Sequence, residues 1–379
     1  MNRQINRVTA VLVVLMLSLI ANVSYIQVFQ AKGLRNQPGN QRVLLTEYSR
    51  ERGPILVGSL PIAQSEATND ALKFVRTYSD AREYAAVTGF YSIVYGATGI
   101  EARENDVLSG NDSRFFVDRL QQLFAGRKPK GGAVRLTLDA KAQQAAMAGL
   151  RGRTGAVVAL DPKTGAILAL ASSPSFDPGQ LSSHDAQAIQ SKYDALNKDP
   201  DKPLLNRPLA MTLPPGSVFK VITAAAALES GKYTSESPLP GPADITLPLT
   251  DRKLGNWNGK ACGPDGITTL QRALEVSCNT AFAALGLDLG AEAIAAQARK
   301  FGFETSFEVP MPAAASRFPT GIDQPQTAMS AIGQFDVQTT ALQMAMVAAG
   351  IANEGVVMRP YLVAQVLGPD LGVLQSTAA

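Results

Sequence analysis

The run VTAVLVVLMLSLIA at residues 8–21 carries no charge, follows Arg3 and Arg7, and continues in mixed form to Phe29. It is long enough to cross a bilayer if Asn22, Ser24 and Gln27 lie near the far interface. The two arginines hold the short tail ahead of it in the cytoplasm. The competing reading is a cleaved signal peptide, which a small-x-small site would end. No such site closes this run clearly, so an uncleaved single-pass anchor in the cell membrane is expected. Under either reading the bulk of the chain is extracytoplasmic. In that oxidising compartment Cys262 and Cys278, an even pair 16 residues apart, are either buried free thiols or a disulfide. The disulfide is expected, and closing a loop of that length adds about 3 kcal/mol by chain entropy.

At 379 residues the chain is too long for one ordinary domain. With 46% hydrophobic and 18% charged residues it has the makings of a sizeable core. The net charge of +3 points to no particular partner, and no dense Lys/Arg cluster interleaved with aromatics supports nucleic-acid binding. The single histidine, His184, lies in the polar stretch LSSHDAQAIQ and reads as surface structure. One histidine rules out sites with several His ligands and leaves a Ser-His-Asp triad only that residue. No cofactor or metal is expected, and any nucleophilic chemistry must find a base other than imidazole.

Residues 31–130 carry short apolar runs and many turn formers, which read as a small irregular module between membrane and main domain. FAGRKPKGGAV at 124–134 has the Gly, Pro and charge content of a linker. RLTLD then predicts a strand ending at Asp139, a helix N-cap before AKAQQAAMAGL. GAVVALDPKTGAILALAS predicts two strands around an Asp-Pro-Lys-Thr-Gly loop. Alanine-rich helices are predicted at 218–229, 291–300 and 338–352. A hairpin followed mostly by helices suggests the α+β class, helices gathered against an antiparallel sheet. No internal repeat or low-complexity tract is present.

PPGSVFKVITAAAALESG, residues 214–231, places one lysine at the start of an otherwise apolar helix. Pro214 and Pro215 oppose helix upstream and Gly216 permits a sharp turn. Ser217 therefore opens the helix, and Lys220, three residues on, shares its face. One reading has Lys220 lay its stem along apolar surface with its head in water. The other makes it a base. Packed among Val221, Ile222 and the alanines, an ammonium loses hydration and its pKa falls. The neutral amine can then take the proton that makes Ser217 a nucleophile. Helix-start N–H groups would favour the oxyanion of acyl transfer. A Ser-x-x-Lys match arises about once by chance in such a chain, so its weight comes from the proline breaker, the apolar helix and the lack of usable histidine.

EVSCNTAF adds Ser277-Cys278-Asn279, and Ser-x-x-Lys followed by Ser-x-Asn resembles the penicillin-binding proteins and serine β-lactamases. NQRVLLTEYSRERGPIL, YSIVYGATGIE, LTLDAKAQQAA, LLNRPL and AIGQFDVQTTALQMAMVAAGIANEG extend the likeness over almost the whole chain, which resembles the membrane-anchored class B penicillin-binding proteins. The resemblance implies a tail and anchor at 1–30, a non-catalytic module of dimerisation or pedestal type at 31–130, and a penicillin-binding transpeptidase domain at 131–379. It implies Ser217 as the acylated nucleophile, Lys220 as its base, Ser277 as a proton relay and Asn279 as a ligand of the substrate amide. One oxyanion N–H would come from Ser217 and one from a strand near the family's third motif. The implied substrate is the D-Ala-D-Ala end of a peptidoglycan stem peptide, with β-lactams acylating the same serine.

That third motif, Lys-[Ser/Thr]-Gly, has no match after Asn279. Lys163-Thr164-Gly165 precedes Ser217 in the predicted hairpin loop, and Ser109-Gly110-Asn111 fails by position. The expectation is a chain short of its C-terminal sheet strands, inactive and poorly folded as it stands. Two rivals to a D,D-transpeptidase follow. A β-lactamase needs a base for its deacylating water, and Glu275 is the candidate, though on a helix it reads as a solvated charge. A penicillin-fold scaffold would recruit other wall-synthesis and division proteins without chemistry. About a hundred residues ahead of the main domain cannot hold a second catalytic domain.

Overall fold

The N-terminal run forms one helix, α1 (Asn2–Tyr25), in which Gln4–Tyr25 is long and apolar enough to cross a membrane and is exposed along its length among the described residues. The computed structural model describes residues 2–30, 47–115 and 130–377; the polar stretch 31–46 and most of the expected linker lie outside the described residues.

The first module is more regular than its sequence suggests. Strands β1 (Ile55–Val57), β2 (Leu60–Ala67) and β3 (Phe74–Tyr78) precede helix α2 (Ala81–Thr88). The strands are hard to see in the sequence because charge sits inside them: Arg76 in mid-β3 is buried. Its guanidinium and that of Arg52 each reach Glu101 at 2.6 Å, all three side chains being almost fully covered. Burial alone would raise the Glu101 pKa, but the two guanidiniums beside it win and hold the carboxyl below the usual range. Arg52 also lies over the Tyr91 ring at 4.2 Å.

Strand β4 (Ala133–Leu136) leads into helix α3 (Ala140–Gly149), which Asp139 caps by accepting the Ala142 N–H at 2.8 Å. The expected hairpin is β5 (Gly155–Leu160) with β6 (Ile167–Ser173), paired antiparallel from Gly155–Ser173 to Leu160–Ile167. Lys163-Thr164-Gly165 is its turn: Asp161 Oδ1 accepts the Lys163 N–H at 2.9 Å and Gly165 takes φ +80°. Helix α4 (Lys220–Glu229) follows, then α5 (Leu270–Glu275), α6 (Asn279–Leu289), α7 (Ala291–Lys300), α8 (Gln324–Ala331) and α9 (Ala341–Ala352). The helices predicted at 218–229, 291–300 and 338–352 are thus present within a few residues. Strands β7 (Val363–Leu367) and β8 (Val373–Ser376) end the described chain.

These last strands return to the first ones. A six-stranded sheet runs β8-β7-β4-β1-β2-β3. It is not purely antiparallel as expected: β1 and β4, far apart in sequence, pair in parallel. One apolar cluster binds Ile55, Ile62, Tyr84 and Ile100 of the first module to Leu136, Ile167, Leu209, Leu342 and Leu362. His184, expected on the surface, has a side chain only 16% exposed, paired with Asp70 and 3.0 Å from the Phe74 carbonyl. It pins the β2–β3 connection to the start of a helix at Ala186–Lys198, a structural role.

Candidate active site

A close backbone contact positions Ser217. Gly216, at φ +60°, donates its N–H to the Gly333 carbonyl at 2.8 Å. A Cβ on Gly333 would fall 2.1 Å from the Gly216 oxygen, so only glycine allows the approach. From there Gly216–Phe219 forms a 3₁₀ turn that merges into α4. Side chains three apart eclipse in such a turn, which stacks Ser217 over Lys220. Ser217 is exposed, whereas Lys220 is fully buried. Lys220, Ala224 and Ala227 share one face of α4, at i, i+4 and i+7. That face packs on Ala281, Phe282 and Leu285 of α6, where small alanines bring the helices close.

The second pair comes from the junction of α5 and α6. Helix α5 starts at a Thr269 cap and ends in a Schellman turn, with Cys278 N–H bonding the Ala273 carbonyl (2.8 Å) and Ser277 N–H the Leu274 carbonyl (3.1 Å). The left-handed position of that turn, usually glycine, is Ser277 at φ +57°. Strain of this kind gathers at working sites. It turns the Ser277 carbonyl towards Lys220, and Asn279 then opens α6.

Four oxygens surround the Lys220 amine. Nζ donates to the Ser277 carbonyl at 2.8 Å and to Asn279 Oδ1 at 2.7 Å, and lies 3.2 Å from Ser217 Oγ and 3.1 Å from Ser277 Oγ. The first two are pure acceptors and occupy both N–H bonds of a neutral amine. Its lone pair is left facing the two hydroxyls, either of which can donate to it. Burial pushes the Lys220 pKa down to about 8. The reading of Lys220 as a surface-snorkelling residue is therefore replaced by an amine buried among four oxygens.

The structure brings Ser217, Lys220, Ser277 and Asn279 together, and joins Cys262 to Cys278 in a disulfide. It leaves out Glu275, which lies exposed on α5 with hydrogen bonds from Gln271 and then Arg272 holding its carboxyl low, a poor base. Ser109 and Asn111 belong to the first module, where Asn111 Oδ1 accepts from Arg50 at 3.0 Å. A cavity of about 650 Å³ lies elsewhere, between Phe90, Phe176, Tyr193 and Met311. Gly333 and Asn256 were not singled out from sequence. The first has only a Gly-Gln pair after a helix to mark it, and the second stands in a Gly/Asn-rich loop without periodicity.

The family model of the penicillin binding protein transpeptidase domain matches residues 155–377, which include all four side chains. The chain belongs to that family. The penicillin binding protein A dimerisation domain matches residues 52–134 of this penicillin-binding transpeptidase. Peptidoglycan D,D-transpeptidase PbpA of Mycolicibacterium smegmatis is 45% identical over all of this chain and 78% of its own length. PbpA of Mycobacterium tuberculosis is 43% identical with the same coverage. A solved ceftriaxone acyl-enzyme complex of penicillin-binding protein A from M. tuberculosis superimposes with a TM-score of 0.86 at 43% identity, over 88% of this chain and 76% of that one.

Proposed function

We propose that this penicillin-binding transpeptidase cross-links peptidoglycan as a D,D-transpeptidase, with Ser217 carrying the acyl group. The observation that carries the reading is the buried Lys220 amine, its two N–H bonds spent on pure acceptors and its lone pair turned to Ser217 Oγ. Neutral Lys220 takes the Ser217 proton as Oγ bonds to the carbonyl carbon between two D-alanines. The C–N bond breaks and the departing D-alanine amine takes a proton relayed through Ser277. The amine of a second stem peptide then attacks the ester, forming the cross-link and returning the proton to Ser217. Asn279 keeps one amide hydrogen for the substrate carbonyl, since its other donates to Gly255 at 3.1 Å. A β-lactam enters the same first step and stays as a slow-turning ester. The four side chains are the part of the family's set that this sequence carries, because no Lys-[Ser/Thr]-Gly triplet follows Asn279.

The reading extends to the layout. Residues 1–30 anchor the chain in the membrane with its tail cytoplasmic, 31–130 form a non-catalytic module that meets other wall-synthesis proteins, and 131–379 form the transpeptidase domain facing the wall. The test is labelling of the whole chain by a fluorescent penicillin. Stable labelling lost in Ser217→Ala is expected. Below a pH of about 8 Lys220 is protonated and no base, so the labelling rate rises through that pH and levels above it. A chain that folds but takes no label favours the scaffold reading, and label that turns over within minutes favours a β-lactamase.

A further inference from the structure

Helix α6 begins without a cap of its own: Cys278 stands at the N-cap position and its side chain accepts none of the backbone N–H groups of the first turn. The missing acceptor arrives from a loop more than twenty residues upstream. Asn256 Oδ1 accepts the backbone N–H of Asn279 at 2.9 Å and of Thr280 at 3.1 Å. Asn256 is itself held from behind. Its Nδ2 donates to the carbonyls of Pro242 and Lys260, both at 2.9 Å, and its own N–H donates to the Ala243 carbonyl at 3.1 Å. The preceding residue, Gly255, takes the second constraint, accepting from Asn279 Nδ2 at 3.1 Å. Once that hydrogen bond is made, the other end of the amide, Oδ1, points at Lys220 Nζ. Asn256 is only 9% exposed, and the disulfide fastens the far end of the same loop to Cys278.

We propose that Asn256 is a positioning residue of the acylation machinery, which sets the start of α6 and thereby aims the Asn279 amide at Lys220. The proposal rests on the transpeptidase reading for its rate consequence but not for its geometry. Asn256 makes no hydrogen bond to Ser217 or Lys220 and acts through the two N–H groups it accepts. Without it the first turn of α6 loses its acceptor and Asn279 drifts from the amine. Displacements of this size in a catalytic array cost about tenfold to a hundredfold in rate. Loss of the Asn279 oxygen also removes an acceptor that favours the ammonium, so the Lys220 pKa falls further. Among the described residues the groups facing Lys220 from the neighbouring elements are Ser217, Ser277, Asn279 and the Phe282 ring, none of them charged, so none competes with that sign.

The test compares the whole chain with Asn256→Ala and Asn256→Asp. Lysine side chains carry a carbon-13 label at Cε, and the Lys220 signal is assigned by its loss in Lys220→Arg. Acylation by a fluorescent penicillin is timed alongside. In Asn256→Ala the Lys220 titration is expected to move to lower pH and acylation to slow about tenfold or more. Asn256→Asp keeps an acceptor at the cap but turns its second oxygen against the Pro242 and Lys260 carbonyls, so it is expected to retain more of the rate than Asn256→Ala rather than all of it. A folded Asn256→Ala with an unmoved Lys220 titration overturns the proposal. If that variant does not fold, a folded Asn256→Asp whose Lys220 titration moves to lower pH, although the cap acceptor is kept and a negative charge added, overturns it instead. Wild-type protein that takes no label overturns the transpeptidase reading alone, because the Lys220 titration still decides the role of Asn256.

Discussion

Ser277 shows how a single residue can be wrong for its backbone and right for its site. The Schellman turn that ends α5 wants glycine at φ +57°, and a side chain there costs about 1–2 kcal/mol. The side chain persists where its hydroxyl lies 3.1 Å from the Lys220 amine. Two substitutions separate the backbone cost from the lost hydroxyl. Ser277→Ala and Ser277→Gly both remove the oxygen, but only glycine relieves the left-handed strain. Urea unfolding is expected to find the glycine variant more stable than the alanine one by about 1 kcal/mol, while penicillin acylation is slowed alike in both. Equal stabilities would mean the turn is unstrained. Lys220 teaches the complementary lesson. Its apolar neighbours were legible in the sequence, and so was the direction of its pKa. The two acceptors that spend its N–H bonds were not, because one of them is a main-chain carbonyl that no motif encodes.

At the scale of elements, local signals carried well and tertiary ones did not. The Asp139 cap, the β5–β6 hairpin and α4 lie where caps, turn residues and periodicity place them, since each is decided by neighbours in sequence. The Ser217–Lys220 pair was equally legible because it lies within one helical turn. The left-handed turn before α6, the Asn256 cap and the Gly216–Gly333 contact depend on partners far along the chain, and nothing local announces them. Gly333 tests that last contact. A methyl group there meets the Gly216 oxygen at 2.1 Å and Phe219 Cβ at 2.7 Å, on top of a φ of +73°. Gly231, at φ +71° after α4, has nothing within 4 Å and serves as the control for backbone strain alone. Gly231→Ala is expected to cost about 1 kcal/mol and to leave acylation unchanged. Gly333→Ala should cost about 3 kcal/mol and slow acylation, because the 3₁₀ turn carrying Ser217 must move. Matching losses in stability and unchanged rates for both would show that the contact does not position Ser217.

Across the whole molecule, the first module and the part bearing the site are not stacked like separate beads. Strand β4 joins β1 on one side and β7 on the other, so the sheet cannot lose its N-terminal half without exposing the C-terminal one. The shared apolar cluster from Ile55 to Leu362 says the same of the core. The sequence hid this union because its links, a parallel strand pair and an apolar cluster, join residues far apart along the chain. Inside the first module, Arg52, Arg76 and Glu101 likewise look like surface charges until the fold closes over them. Removing one member of a buried ionic set leaves uncompensated charge, at a cost of about 3–5 kcal/mol. Glu101→Gln leaves two guanidiniums facing a neutral amide and is expected to unfold at a lower urea concentration by that amount. The pH dependence follows from the depressed carboxyl pKa. The Glu101 contribution is fully present above the ordinary unfolded value of about 4.3, and is lost as pH falls through the lower folded value. Wild type should therefore lose stability below that range more steeply than the variant does. One core also predicts one transition: circular dichroism and the loss of penicillin labelling should coincide in Glu101→Gln as in wild type. If labelling outlasts the unfolding of the first module, the two halves are stabilised independently and the sheet joining them contributes little.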